Sequence, residues 1–278
     1  MNGFIMVNLT DAPIGVFDSG IGGLTVLNAL WHALPQESFV YLADTARIPY
    51  GTKSREAVIH YAQQICRQFI SRHHIKALVV ACNTASAHAL TTLQQEFSDI
   101  PVLGVIAPSA MAAVQATRKQ HIAVIATEGT IRSKAYEDAI ATLNKNVRVS
   151  SQACQLLVSL VEEGWLEDDI TDRIIQRYLQ PLFSSNNTPD TLVLGCTHFP
   201  LLKPRIENYL GKNVAVIDSA SNIAKETFNL LEQRQLLSIA HSKPTQFLVT
   251  DSPQRFIATA DIFLGENLDE SKVQHISV

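Results

Sequence analysis

The chain has 278 residues, 46% of them hydrophobic and 17% charged. That profile describes a globular protein with ample core, long enough for two modest domains or one large one. The net charge is −4 with no basic block, which disfavours a nucleic-acid surface. No apolar run is long enough to span a bilayer, and the first ten residues lack the basic and apolar regions of a signal peptide.

The cysteines are Cys66, Cys82, Cys154 and Cys196. None forms a C-x-x-C pair and the histidines are not at zinc-finger spacing, so no metal is expected. Few scattered cysteines without an export signal imply a reducing cytoplasm.

Residues 13–17, P-I-G-V-F, read as a first buried strand. Asp18, Ser19 and the glycine-rich turn to Gly23 follow, opening a helix with Leu24, Leu27, Leu30 and Leu34 at near-helical spacing. The turn lacks the spacing of a dinucleotide fingerprint. It reads as a tight turn whose backbone N–H groups can face an anion. A second strand at 38–42 ends near Asp44, and an irregular Pro49-Tyr50-Gly51 loop precedes a helix that begins at Ser54.

The third strand is the most informative: A-L-V-V-A at 77–81 runs straight into Cys82, Asn83 and Thr84. An apolar run that stops at small polar residues reads as a buried strand feeding a helix. A strand at 101–106 and a helix to about Thr117 close this half.

The pattern then restarts. A strand at 121–126 leads to a turn at 127–130, and a helix at 133–143 carries Tyr136 and Ile140 inward. A short strand at 147–150, a helix at 156–163 and a longer helix from Asp169 follow, the last with Ile170, Ile174, Tyr178 and Leu182 as its stripe. Residues 191–196, T-L-V-L-G-C, then repeat the strand-to-cysteine junction, with Thr197 and His198 after Cys196. A strand at 214–217, a helix to about Glu232, a strand at 246–249 and a helix after Pro253 read as returning to the first half.

The expected fold is therefore α/β, with two similar three-layer lobes of mainly parallel strands related by a pseudo-twofold. Residues 1–106 plus 214–278 form one lobe and 107–213 the other. Ligands bind at the carboxyl ends of strands in such sheets, so the active site belongs in the cleft between the lobes.

A single cysteine in an apolar strand is usually just buried. Two in matching positions, each followed by a hydroxyl residue, point to chemistry. Inverting the α-carbon of an amino acid needs an acid/base group on each face. A thiol has an ordinary pKa of about 8.5, and a helix N-terminus lowers it, so a thiol–thiolate pair is accessible near neutrality. Ser19, Asn83, Thr84 and Thr197 are short donors at turns that, with backbone N–H groups, hold carboxylates without arginine. Asp18, Glu162 and His198 are placed to orient the thiols. Helix capping is the competing reading for Asp18, Asn83, Thr84 and Thr197. Asp44, Thr127, Thr130 and Glu162 carry functional and structural readings about equally.

The segments F-D-S-G-I-G-G-L-T-V (17–26), D-T-A-R-I-P-Y-G (44–51), A-C-N-T-A-S-A (81–87), T-E-G-T-I-R-S (127–133), V-E-E-G (161–164) and G-C-T-H-F-P-L-L (195–202) resemble glutamate racemases, of the cofactor-independent aspartate/glutamate racemase superfamily. The resemblance implies interconversion of L- and D-glutamate without a cofactor, with Cys82 and Cys196 as the two proton donor/acceptors. The first cysteine is expected on the D-glutamate side and the second on the L-glutamate side. It implies substrate contacts from Asp18, Ser19, Tyr50, Gly51, Asn83, Thr84, Thr197 and His198. The D-glutamate would feed bacterial peptidoglycan and so cell-wall biogenesis and cell shape. Glutamate is the expected small-molecule partner, with no nucleic acid or membrane, and a homodimer is the expected assembly. The competing readings are a racemase of aspartate or another acidic amino acid, and a non-catalytic anion-binding relative.

Overall fold

The computed structural model describes residues 9–184, 187–239 and 242–278. Most of the stretch read for a signal peptide lies outside them. In chain order the strands and helices are β1 (Ile14–Asp18), α1 (Leu24–Ala33), β2 (Phe39–Ala43), α2 (Arg55–His73), β3 (Ala77–Val80), α3 (Asn83–Glu96), β4 (Val102–Gly104), α4 (Ile106–Ala116), β5 (His121–Ala126), α5 (Glu128–Ser133), α6 (Ala135–Leu143), β6 (Arg148–Ala153), α7 (Gln155–Glu162), α8 (Asp169–Phe183), β7 (Thr191–Gly195), α9 (Lys203–Leu210), β8 (Ala215–Asp218), α10 (Ser219–Gln233), β9 (Gln246–Val249), α11 (Pro253–Leu264) and β10 (Val273–His275).

Two parallel sheets result. One has the order β10-β9-β2-β1-β3-β4 and the other β6-β5-β7-β8. Helices cover the faces, so the central strands β1, β2, β3, β5 and β7 are buried along their whole length. That is why they read as continuous apolar runs rather than alternating ones. Within each sheet, the four strands from one half of the chain share one order: the second strand, then the first, third and fourth. The internal repeat is thus a repeat of topology. Cys82 follows β3 and Cys196 follows β7, its counterpart.

The boundary expected before residue 214 is corrected by this arrangement. The strand read there as returning to the first lobe is β8, and it pairs with β7 in the second sheet. It is the counterpart of β4. Only β9 and β10 return to the first sheet, beside β2. The following helix, α10, packs on both α1 and α4 and so joins the halves.

Local chemistry sets the helix starts. Ser54, Thr127, Asp168, Asp218 and Ser252 each accept a backbone N–H from the first turn that follows. Residues 127–130, expected as a turn, instead begin α5, with Thr127 as its cap. At the amino-terminal end of the first sheet a buried Lys76 pairs with Glu37 at 2.5 Å. It also donates to the carbonyls of Thr10 and Leu236. Breaking such a buried pair from one side leaves an uncompensated charge, so these four segments are tied together far from the cleft.

Candidate active site

The carboxyl ends of both sheets converge on one cavity of about 190 Å³. The first sheet supplies Ser19 after β1, Tyr50 and Gly51 after β2, and Cys82, Asn83 and Thr84 after β3. The second supplies Thr127 after β5, Gln155 and Glu162 from α7, and Cys196, Thr197 and His198 after β7. Among the described residues lining it there is no Lys or Arg. Its positive charge comes from His198.

Cys82 is the N-cap residue of α3, and its Sγ accepts the Ala85 N–H at 3.4 Å. The thiol donates to Ser19 Oγ at 3.3 Å. A helix N-terminus ordinarily favours a thiolate. Here burial wins, and with the nearby Asp18 charge it pushes the Cys82 thiol up to about 12. The expectation of an easily ionised sulfur is thus corrected for Cys82, which rests as a proton donor.

The second thiol stands in a different environment. Cys196 Sγ lies 3.7 Å from His198 Nδ1, and His198 Nε2 lies 3.0 Å from Glu162 Oε1. Burial alone would lower the imidazole, but its bonds to Cys196 and Glu162 outweigh that and hold it near 10. Cys196 therefore faces an imidazolium, whereas Cys82 meets the Ser19 hydroxyl and feels the charge of Asp18.

Asp18 is buried behind the first thiol. Its Oδ2 accepts the Gly20 N–H at 2.9 Å, while its Oδ1 has no hydrogen-bond partner. Desolvation raises its carboxyl above the ordinary range. It does not itself line the cavity, unlike the other expected site residues. Asn83 is fixed by donation to Tyr136 Oη at 2.9 Å and to Ser219 Oγ at 3.3 Å. Thr84 joins Thr127 at 2.9 Å and Thr130 at 3.3 Å, a triangle of hydroxyls across the seam between the lobes. Tyr50 is buried and donates to Asp44 Oδ2 at 2.6 Å. Asp44 also accepts from Thr250 Oγ1, so its role is to hold Tyr50.

The glycine-rich turn works by close approach. A Cβ on Gly22 would stand 2.3 Å from Thr197 Oγ1 and 2.4 Å from His198 Nδ1. A Cβ on Gly23 would stand 2.4 Å from Asp18 Cβ. The turn thus lets the start of α1 pack against the loop after β7, and Thr25 Oγ1 fixes the contact by donating to the Thr197 carbonyl at 2.8 Å.

Sequence reasoning missed Gln155, Val158 and Ser159, which line the cavity from α7. A glutamine at the start of a helix carries no local signal of burial. Cys66 and Cys154 are buried and do not line the cavity, and burial raises both thiols.

Two equivalent strand ends, each presenting a thiol to one small cleft, define a racemase-type α/β protein. The family model for Asp/Glu/hydantoin racemases matches residues 19–227, and the chain belongs to that family. A glutamate racemase of Neisseria meningitidis is 47% identical over 259 residues, covering 93% of this chain and 94% of its own. A glutamate racemase isoform of Bacillus anthracis superposes with a TM-score of 0.91 at 39% identity, covering 97% of this chain and 98% of that one. The Francisella tularensis glutamate racemase, solved with D-glutamate, gives 0.89 at 36% identity over 96% and 98%. Within the family the chain stands with the glutamate racemases.

Proposed function

We propose that the protein interconverts L- and D-glutamate by two-base proton transfer between Cys196 and Cys82. The observation that carries this is the pair of sulfurs, one from each sheet, lining a single cavity. With L-glutamate bound, Cys196 takes the α-proton: the C–H bond breaks and an S–H bond forms. The Cys82 thiol then gives its proton to the opposite face, leaving a thiolate there. The resting states fit this direction, since Cys82 is held protonated and Cys196 faces an imidazolium. After D-glutamate forms, the protonation states are exchanged and the site is set for the reverse reaction.

Hydroxyls and backbone N–H groups at Ser19, Asn83, Thr84 and Thr197 would hold the two carboxylates. Asp18 and His198 act on the reaction through their respective thiols. The same reading includes no cofactor, a role in supplying D-glutamate for peptidoglycan, action in the cytoplasm and a homodimeric assembly. Light scattering tests the last of these.

The decisive experiment incubates the protein with L-glutamate in deuterated water without added cofactor. D-Glutamate with deuterium at the α-carbon is expected. Product carrying only protium, or no product, would count against the mechanism. Faster turnover of aspartate than glutamate would reassign the substrate, and calorimetric binding without turnover would make this a non-catalytic relative.

A further inference from the structure

A second cavity, of about 520 Å³, lies outside the racemisation site. Its walls are Lys53, Ser54 and Arg55 at the start of α2, His88 on α3, and Arg132 and Ser133 at the end of α5. These residues sit two to four positions further along the segments that carry Gly51, Thr84 and Thr130. The pocket therefore straddles the same seam between lobes, on another side of the hydroxyl triangle.

No acidic side chain lines it. Glu128 pairs with Arg132 from the rim at 3.2 Å, but both are more than half exposed. An exposed pair of this kind is weak and releases Arg132 readily. Glu56, the acidic group whose field reaches His88, bonds the Ser54 hydroxyl at the pocket wall and is exposed as well. The Gly129 backbone stands near the His88 ring from across the seam and favours its charged form. Burial lowers the imidazole, and the nearby Arg55 and Arg132 charges lower it further. Both guanidinium groups thus act on one ring, from opposite lobes.

We propose that this pocket binds a phosphate-bearing small molecule that clamps the two lobes together beside the substrate cleft. Two arginines offer planar forks that match phosphate oxygens. Lys53, just before α2, adds a point charge. An anion here relieves the repulsion between cations that each lobe brings to the seam.

Inorganic pyrophosphate, titrated by calorimetry, is the probe, with orthophosphate as the arm that reports a need for more than one phosphoryl group. Saturable binding at one site per chain is expected. Arg55→Ala and Arg132→Ala should each weaken it, and the double variant by at least about tenfold. Lys212→Ala, on an exposed residue elsewhere, should leave it unchanged. The His88 ring resonance should titrate at higher pH with pyrophosphate bound, because a nearby anion favours the charged ring.

Absence of saturable binding overturns the proposal, as does equal weakening by Lys212→Ala. If only one of the two arginines matters, the anion does not bridge the lobes and the clamp is wrong. Tighter binding of a single-stranded oligonucleotide, with a salt dependence of several phosphates, would replace the small-molecule assignment. The isotherm needs no racemisation, so it stands or falls apart from the catalytic proposal.

Discussion

Nε2 of His198 stands 3.0 Å from Oε1 of Glu162, while Nδ1 of the same ring stands 3.7 Å from Sγ of Cys196. The imidazole connects a carboxylate at the cleft edge to the sulfur inside. Burial opposes ionisation of Glu162, but the His198 partner wins and holds its carboxyl below the ordinary value.

Glu162→Gln should therefore lower the His198 pKa and the stability together. A raised histidine stabilises the fold fully below its unfolded value of about 6.5 and loses that contribution as pH climbs through about 10. The depressed carboxyl contributes above about 4.5 and loses its share as pH falls through its lower folded value. The deficit of the variant should be largest between about pH 5 and 6 and vanish above about pH 10. With the carboxylate 35% exposed, the loss should be on the order of 1 kcal/mol. Thermal melts of both proteins across pH check the shape, and the His198 ring resonance checks the cause.

Replacing either sulfur separates the two faces of the substrate. Cys82→Ala and Cys196→Ala should each cut racemisation by on the order of 10³-fold. Each variant should still exchange the α-hydrogen of the one enantiomer whose face meets the remaining thiol. Proton NMR in deuterated water, read alongside optical rotation, distinguishes exchange from inversion. A variant with near-normal racemisation removes that cysteine from the mechanism.

Asp18 carries a stability cost that the site retains. Its carboxyl is buried, its Oδ1 is unpartnered and its folded pKa is raised. A raised carboxyl makes ionised Asp18 destabilising above that pKa, and the penalty fades as pH falls and the group protonates. Asp18→Asn keeps an acceptor for the Gly20 N–H and removes the charge. It should raise the Tm at pH 7 by about 2 °C while lowering kcat by about 10²-fold through the altered field at Cys82. Calorimetry and initial rates check the two halves separately.

Much of this was legible in the chain. Buried parallel strands announce themselves as unbroken apolar runs, so β3 and β7 with their terminal cysteines stand out. The expected stripe on α8 holds at Ile174, Tyr178 and Leu182, which are half-buried against the core, and fails at its first residue. Thr171, Ile175 and Leu179 face inward, and Ile170 is 48% exposed. Thr171 is buried because its hydroxyl donates to the Trp165 carbonyl, a non-periodic contact that a hydrophobic pattern ignores. β10 went unseen because an exposed edge strand of three residues has almost no apolar signal. The sheet assignment of β8 depends on pairing with a distant strand, which local pattern does not encode. The repeat did encode it, since the first half's fourth strand required a partner in the second.

Gly22 offers a steric test of how the cleft is held. An alanine there would drive its Cβ into Thr197 and His198 together. Neither can retreat freely: the Thr197 carbonyl is bonded to Thr25, and the His198 ring to Glu162. Overpacking of this kind costs about 1–3 kcal/mol, and Gly22→Ala should also lose most activity because His198 moves with respect to Cys196. Gly211→Ala is the contrasting control. It has open space around it but a φ of +73°, so it should lose stability without loss of kcat.

Gln155 tests whether the cavity wall reads the substrate. Its Oε1 is buried without a partner, and among the described residues its amide makes no hydrogen bond. Such a group at a cavity wall is satisfied when a ligand with carboxylate and ammonium groups arrives. Gln155→Leu keeps the volume and removes the amide. Without ligand the variant should be as stable or slightly more so, because a buried unpaired group disappears. With glutamate its KM should rise about tenfold at nearly constant kcat, the signature of an interaction made equally in ground and transition states. Gln155→Glu should raise KM further by setting a carboxylate against those of the substrate. Unchanged KM in both variants would show that the amide points at nothing the substrate carries, leaving recognition to the hydroxyls of Ser19, Thr84 and Thr197.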